Sequence, residues 1–559
     1  MKHMGVNTRF FMSRKTLWVI GSLTILCTFI IAAYAPLLTG ESEFLGDDSY
    51  YILNNSFVQH LDFHSLCEIW TKHLEFDYFP VTLTSFALDC ALWGLDPRMF
   101  HITNIIIFFC IGITAFSLSV IMNRNARSGE TMGLYVSALA AVLLMLLHPT
   151  QVESVAGISN RKELLYVLFG LLAFRVYISE SGRTLLIILA LVCMTLAQLS
   201  KGTGIVLPFV LLAYELFYLK GQNSYKRIFT RLAPFFIISG LIFFCQFSVA
   251  RDSGVIQSSP AVSPGMWAGG VLRTITIAAK QCVLPVKLTY DYDIKWPDGL
   301  RMGSEWLVPL FIGAVLALLL YRKKYAYLFL SLFILIPFLP YSNIVPLKHV
   351  IAGNLVYYDH YLLFPLAAAS VFLARWFSVS LPWRRTIIAG IAVLAILYVF
   401  QDVRLSSSWR SGERLYKRAL ALAPGISRPY YFLGKVYLDK GRYAEALGLF
   451  ISAQAMNQPY PTVDVYQWIG EAYALLGRYS EAEQYYRLHL SFKPDDKSSL
   501  QNLSSTLIML KRDEEARAVI QRLLSLYPAD PGALVNLSIL ERRNTGKGAA
   551  KGHENAGEP

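Results

Sequence analysis

Charged side chains are scarce in this sequence. Asp, Glu, Lys and Arg make up 16% of its 559 residues, where soluble domains carry about 25%. Hydrophobic residues reach 55% and aromatic ones 14%, with a mean hydropathy of +0.43. That balance excludes a wholly soluble protein and predicts an integral membrane bundle with length left for a soluble part. Cysteine is sparse as well. There are seven, four of them (Cys27, Cys110, Cys193, Cys245) inside apolar stretches, with no CxxC or metal-ligand spacing. They read as small packing residues, and only Cys67 and Cys90 stand where a pair outside the membrane could form. A basic groove with interleaved aromatics is missing too. The net charge of +13 therefore does not point to nucleic acid as a partner.

Apolar runs dominate. Stretches long enough to span occur near 17–35, 101–121, 132–147, 163–179, 184–199, 204–219, 231–249, 305–321, 325–341, 360–377 and 386–400, about eleven in all. The first follows a basic start (Lys2, Arg9, Arg14, Lys15) and lacks a small-residue cleavage site, so it reads as an uncleaved anchor. The stretch 81–95 is short and contains Asp89, which assigns it to an interfacial helix. Basic residues then fall on one side, loop after loop: Arg124 and Arg127, Arg175 and Arg183, Lys220 to Arg231, and "YRKKY" at 321–325. The opposite first loop, 37–100, is acid-rich. Lys/Arg bias sets orientation, which predicts the N-terminus inside and the C-terminus outside.

The polar motifs share the outer side in this topology. "GDDSYY" holds Asp47 and Asp48, and "HPTQVES" holds His148 and Glu153. "NRKELL" begins with Arg161 and Lys162 after Asn160, "LSKGTG" carries Lys201, and "PLKHV" and "YYDHY" carry Lys348, Asp359 and His360. Two adjacent carboxylates can push one pKa up by repulsion, leaving one as a general base. An ordinary reading competes, in which Asp48 caps a helix beginning "SYYILNN". Glu153 is either a second catalytic acid or a helix-entry acid favoured by the dipole. Lys201 sits beside Gly202 and Gly204, where backbone can approach a phosphate. The same lysine could instead snorkel to lipid headgroups. The Asp pair could hold a hard divalent cation, but no further spaced acids join it, so no metal site is assigned.

After residue 401 the pattern turns amphipathic and water-soluble. Gly434, Gly441 and Ala446 recur as Gly470, Gly477 and Ala482, each 36 residues later, and Ala482 and Pro494 recur as Ala516 and Pro528 at a period of 34. Small residues at close helix crossings and a proline closing the second helix are the tetratricopeptide signature. The fold expectation is therefore all-α. Residues 1–400 form a polytopic membrane bundle, 401–540 a tetratricopeptide α-solenoid, and 541–559 a polar, Gly-rich disordered tail.

Several of these motifs, in this order and together with the repeats, form a wider pattern: "GDDSYYILNNSFV", "YFPVTLTSFALDCALWGLDPRMF", "HPTQVESVAGISNRKELLYVLFG", "LSKGTGIVLPFV" and "YYDHYLLFPLAAA". The pattern resembles the bacterial relatives of the transmembrane and tetratricopeptide-repeat containing O-mannosyltransferases, within the C-type glycosyltransferase superfamily. The resemblance implies inverting transfer of a sugar from a polyprenyl-phosphate donor to a hydroxyl, often of a protein Ser or Thr. It maps the acidic motif onto Asp47 and Asp48 as catalytic residues, the His-Pro…Glu motif onto His148, Pro149 and the catalytic Glu153, and the lysine after the fifth span onto Lys201 at the donor phosphate. The cations Arg161, Lys162, Lys348 and His360, placed on the same outer face by the topology, are further candidates for that phosphate. His148, Tyr78 and Asp359 become further site residues. Phe79 and His360 depart from the pattern, since relatives often carry a basic residue before the proline and an Arg after the Asp. The implied partners are the lipid-linked sugar, membrane lipids and an acceptor protein or peptide in the repeat groove. The implied location is the bacterial inner membrane with the repeats outside. Two other readings stay open: transfer to a lipid or envelope polysaccharide, and a non-catalytic scaffold that only anchors the repeats.

Overall fold

The structure is a computed structural model that describes residues 14–72, 78–124, 131–179, 184–252, 263–297, 303–344, 355–378, 384–456 and 463–554. Regular structure among the described residues is helical, with no strand. The chain forms two compact units, residues 1–290 with 294–414, and residues 291–293 with 415–559.

In the larger unit every expected apolar stretch is helical. Among the described residues, six helices are long and apolar enough to cross a membrane: Thr16–Leu38, Pro97–Met122, Tyr225–Val249, Ser304–Tyr321, Asp359–Phe377 and Thr386–Ser408. Shorter apolar helices cover Met132–Leu146, Thr184–Ser200, Gly202–Tyr218 and Tyr325–Tyr341. The remaining one, Arg161–Tyr177, opens on three consecutive charges and ends near Arg175, which dilutes its apolar character. Pitch is not uniform. The chain runs as a 3-10 turn over Gly202–Val206, an α-helix over Leu207–Ala213 and a π-turn over Tyr214–Tyr218. Pro208 supplies no N–H to an α-helical ladder there, so the change of pitch falls where one hydrogen bond is already missing.

The acid-rich loop after the first helix folds into short pieces. These are a π-turn Ser49–Leu53 and helices Ser56–Gln59, Phe63–Thr71 and Pro80–Trp93. Side chains start them: Asn55 accepts from Phe57 N, and Asp62 accepts from Ser65 N at 2.7 Å. They share a core of Tyr51, Ile52, Phe79, Leu83, Phe86 and Phe100. The helix Pro80–Trp93 packs on Thr184–Ser200, where Thr82 Oγ1 donates to Ser200 O at 3.0 Å. Helix Arg161–Tyr177 lies between Thr184–Ser200 and Pro97–Met122. This central helix is what positions the site.

The smaller unit stacks antiparallel pairs: Ser427–Asp439 with Tyr443–Ala455, Asp464–Leu475 with Tyr479–Phe492, and Lys497–Met509 with Asp513–Leu526. Glycine is required where the paired helices cross. A Cβ at Gly434 would stand 2.6 Å from the Phe450 ring, and one at Gly470 2.9 Å from Tyr486. A last helix, Pro531–Glu554, runs on past residue 541, where composition predicts disorder. Asp530 caps it through Ala533 N at 2.7 Å, and Arg543 Nη1 ties it to Ile508 O at 2.8 Å. Local anchoring thus outweighs the Gly-rich composition at the start of that stretch.

Candidate active site

Gly46 adopts φ +57°, a left-handed turn that glycine enters without steric cost. It delivers the two aspartates into different surroundings. Asp48 is buried; its Oδ2 accepts from Leu45 N at 2.9 Å and its Oδ1 from Ser159 N at 2.7 Å. It does not cap the turn that follows. Burial pushes its carboxyl up to about 7, opposed by the two N–H donors and assisted by the charge of Asp47. Asp47 is half-buried, and its carbonyl accepts from Tyr50 N and Tyr51 N, which closes the turn.

Glu153 lies on the short helix Gln151–Ala156 and meets the other end of the unit. Its Oε2 accepts from Asp359 N at 2.8 Å and His360 N at 3.2 Å, while Oε1 stands 2.9 Å from His360 Nδ1. A carboxylate accepts only, so Nδ1 donates. The His360 ring stacks on Tyr358 and meets Tyr361 edge-on at 4.7 Å. Lys201, Glu163, Lys162 and Asp47 all lie within electrostatic reach of His360. Four separate chain segments therefore converge on one histidine.

Residues 161–163 begin one helix and send three charges three ways, because successive helical residues point about 100° apart. Arg161 is fully enclosed. Its Nη2 pairs with Asp89 Oδ2 at 2.6 Å, Nε donates to Asn104 Oδ1 at 2.8 Å, and the remaining donors reach Ser85 O and Phe100 O. Arg161, expected at the donor phosphate, is engaged by Asp89, Asn104 and two carbonyls. Lys162 Nζ donates to Tyr51 Oη at 3.2 Å and lies over the Tyr51 and Phe79 rings. Glu163 turns toward Lys201.

Lys201 leaves the end of Thr184–Ser200 with its ammonium bonded to the Glu163 carboxylate. It lies over the rings of Tyr341 at 4.8 Å and Tyr361 at 5.4 Å, which stack on each other at 4.2 Å. The Tyr341 hydroxyl donates to Glu163 at 2.9 and 3.1 Å, so Thr203 Oγ1, 3.0 Å away, donates to Tyr341. Sequence reasoning missed Glu163, Tyr341 and Tyr361. Only the last two charges of "RKE" offered a hint, and nothing local says which way each turns.

His148 belongs to a different hydrogen-bond set. Its Nε2 stands 3.2 Å from Cys282 O, so that nitrogen donates, and Nδ1 accepts from Thr150 Oγ1 at 2.7 Å. Burial pushes it down to about 4, which keeps the imidazole neutral. Tyr78 donates its hydroxyl to Trp70 O at 2.9 Å and lends its carbonyl to Gln246, which anchors the approach to Pro80. Asp359 is buried beside Glu153 at the head of the turn Asp359–Leu362. Lys348 lies outside the described residues. No group of three or more metal-ligating side chains stands together among the described residues. Asp48 accepts one backbone N–H at each carboxylate oxygen.

An apolar helical bundle with an enclosed acid–base cluster, followed by a repeat solenoid, defines the class. Its C-terminal part matches the tetratricopeptide repeat family model at residues 406–461 and 433–498. The chain is similar to several proteins named protein O-mannosyl-transferase. It is 25% identical to human protein O-mannosyl-transferase TMTC4 over 77% of its own length and 64% of that protein. It is 25% identical to human TMTC1 over 75% and 55% respectively. The chain thus spans between half and two thirds of the length of these relatives. Among solved structures, ArnT from Cupriavidus metallidurans in the apo state is 13% identical, covering 85% of this chain and 80% of ArnT, with a TM-score of 0.40.

Proposed function

We propose that this chain is an integral membrane glycosyltransferase that moves a sugar from polyprenyl phosphate to an acceptor hydroxyl, with inversion. The observation that carries the reading is the convergence of Asp47, Glu153, Lys162, Glu163 and Lys201 around His360. Carboxylates and ammonium groups from distant segments meet in one place, and transfer from a lipid phosphate needs both.

Asp47 is the base in this reading. Asp48 has both oxygens committed to Leu45 and Ser159, so it holds the turn and Asp47 takes the acceptor proton. The acceptor oxygen bonds to the anomeric carbon as the bond from that carbon to the phosphate oxygen breaks. The lipid phosphate leaves with the electron pair, and its charge is met by Lys201 and Lys162. Glu153 fixes His360 and the Asp359 turn through three contacts, which holds the far wall of the cluster. Arg161 anchors the helix that carries Lys162.

The acceptor in this reading is a protein Ser or Thr hydroxyl, and the repeats bind the acceptor polypeptide. Their helix Ser427–Asp439 carries Lys435 over the Trp468 ring at 4.5 Å, with Asp439, Glu471 and Asp464 in electrostatic reach. A mixed-charge aromatic face of this kind suits an extended peptide. The membrane is the bacterial inner membrane, with the site and the repeats on its outer side.

The test offers the purified full chain in lipid a panel of polyprenyl-phosphate sugars and Ser/Thr peptides, with products read by intact mass. A peptide gaining one sugar mass supports the reading. A sugar appearing only on lipid or polysaccharide, and persisting after deletion of residues 415–559, replaces the protein acceptor. No transfer from any donor, together with full complementation by an Asp47→Asn chain in cells, would favour a scaffold.

A further inference from the structure

Glu163 has no role in the reaction steps above, yet it is fully enclosed beside the cation that they need most. The Tyr341 hydroxyl donates to both of its oxygens, at 2.9 and 3.1 Å, and Thr203 in turn backs Tyr341 at 3.0 Å. This fixes the carboxylate. The Lys201 ammonium is pinned from the other sides by the faces of Tyr341 and Tyr361. An ammonium so held has three donors, and Glu163 takes one of them. An incoming phosphate therefore meets a cation whose charge is already shared with a buried anion. It has to divide or displace that pair, against the repulsion of a carboxylate a few ångströms away.

We propose that Glu163 is the counter-ion that Lys201 exchanges for the lipid phosphate, a positioning residue whose charge keeps the departing polyprenyl phosphate releasable. This rests on the reading of Lys201 as a phosphate contact. Product and donor share the phosphate, so a site that gripped it with an unshared cation would hold the product as tightly as the substrate. The Glu163 carboxylate sets the grip. A purely structural ion pair makes the opposite forecast, because breaking it loosens the site and weakens binding.

The experiment measures binding of a short-chain polyprenyl monophosphate to the full chain in nanodiscs, alongside turnover. In Glu163→Gln the phosphate binds about tenfold tighter while kcat falls, and Glu163→Asp, which keeps the charge, stays within about threefold of wild type. Tyr341→Phe keeps the ring under Lys201 but removes the hydroxyl that competes for Glu163, so the ion pair strengthens and phosphate binds about threefold more weakly. Weaker or unchanged binding in Glu163→Gln, or tighter binding in Tyr341→Phe, overturns the inference while leaving the phosphate role of Lys201 standing. If Lys201→Met binds the phosphate as wild type does, the phosphate reading and the inference fall together.

Discussion

The carboxylate of Asp48 accepts a 2.7 Å hydrogen bond from the backbone N–H of Ser159, 111 positions further along the chain. Together with the bond from Leu45 N, it makes Asp48 the clasp between the acidic turn and the approach to the central helix. The clasp is pH-sensitive. In the folded chain the carboxyl holds its proton up to about 7, whereas its ordinary value is 3.8. Across that window the folded state binds more protons than the unfolded one, so stability is fullest at the acid end and declines as pH rises toward about 7. Melting temperatures of the detergent-solubilised chain should fall between pH 4.5 and 7 and level off above. Asp48→Asn should remove this contribution to the slope. It should also cost about 1–3 kcal/mol, since an amide has one acceptor oxygen for two N–H donors.

The enclosed Arg161–Asp89 pair should act as a structural unit. Arg161→Met alone strands a buried carboxylate and is expected to cost about 3–5 kcal/mol, and Asp89→Leu alone a similar amount. The double substitution should recover most of that loss, because the pair and its desolvation cost disappear together. Thermal denaturation of the three variants checks this. A double variant no better than the singles would mean that the other bonds of Arg161, to Asn104, Ser85 and Phe100, carry the anchoring.

Glu153 accepts from two backbone N–H groups and one imidazole nitrogen. Glu153→Gln turns one of those acceptors into a donor facing a donor. The expected result is a fall in transfer rate of about 10²-fold, in line with removal of a group that orders an electrostatic site. The melting temperature should fall as well, by the equivalent of about 1–3 kcal/mol for a buried donor left without its acceptor. Initial rates at saturating donor and acceptor separate the two effects.

In the repeats, Gly434→Ala and Gly470→Ala each push a methyl into an aromatic ring at 2.6 and 2.9 Å. Overpacking of this kind costs about 1–3 kcal/mol. Hydrogen exchange of the full chain should speed up in peptides from 427–455 for the first variant and 464–492 for the second. Exchange in the central helix Arg161–Tyr177 should be unchanged.

Much of the architecture was legible because apolar runs and repeat periods are local signals. The eleven stretches are helical, and Gly434 and Gly470 stand at helix crossings as their spacing implied. Local signals stop at side-chain direction. Arg161, Lys162 and Glu163 read as one charged helix start, and only packing decides that they go to Asp89, Tyr51 and Lys201. The Asp48–Ser159 and Glu153–His360 contacts join segments 111 and 207 positions apart, a separation that a single sequence does not encode. The change of pitch across 202–218 was equally hidden, since hydropathy there is continuous.

Single-turnover sugar transfer by the full chain in lipid, with wild type beside Asp47→Asn and Asp48→Asn, decides whether Asp47 is the base. Asp47→Asn should lose about 10²–10⁴-fold in rate with donor binding intact, the usual contribution of a general base. Asp48→Asn should instead lose stability and a smaller share of rate. Wild-type transfer that survives unchanged in Asp47→Asn would rule out Asp47 and move the base elsewhere in the cluster.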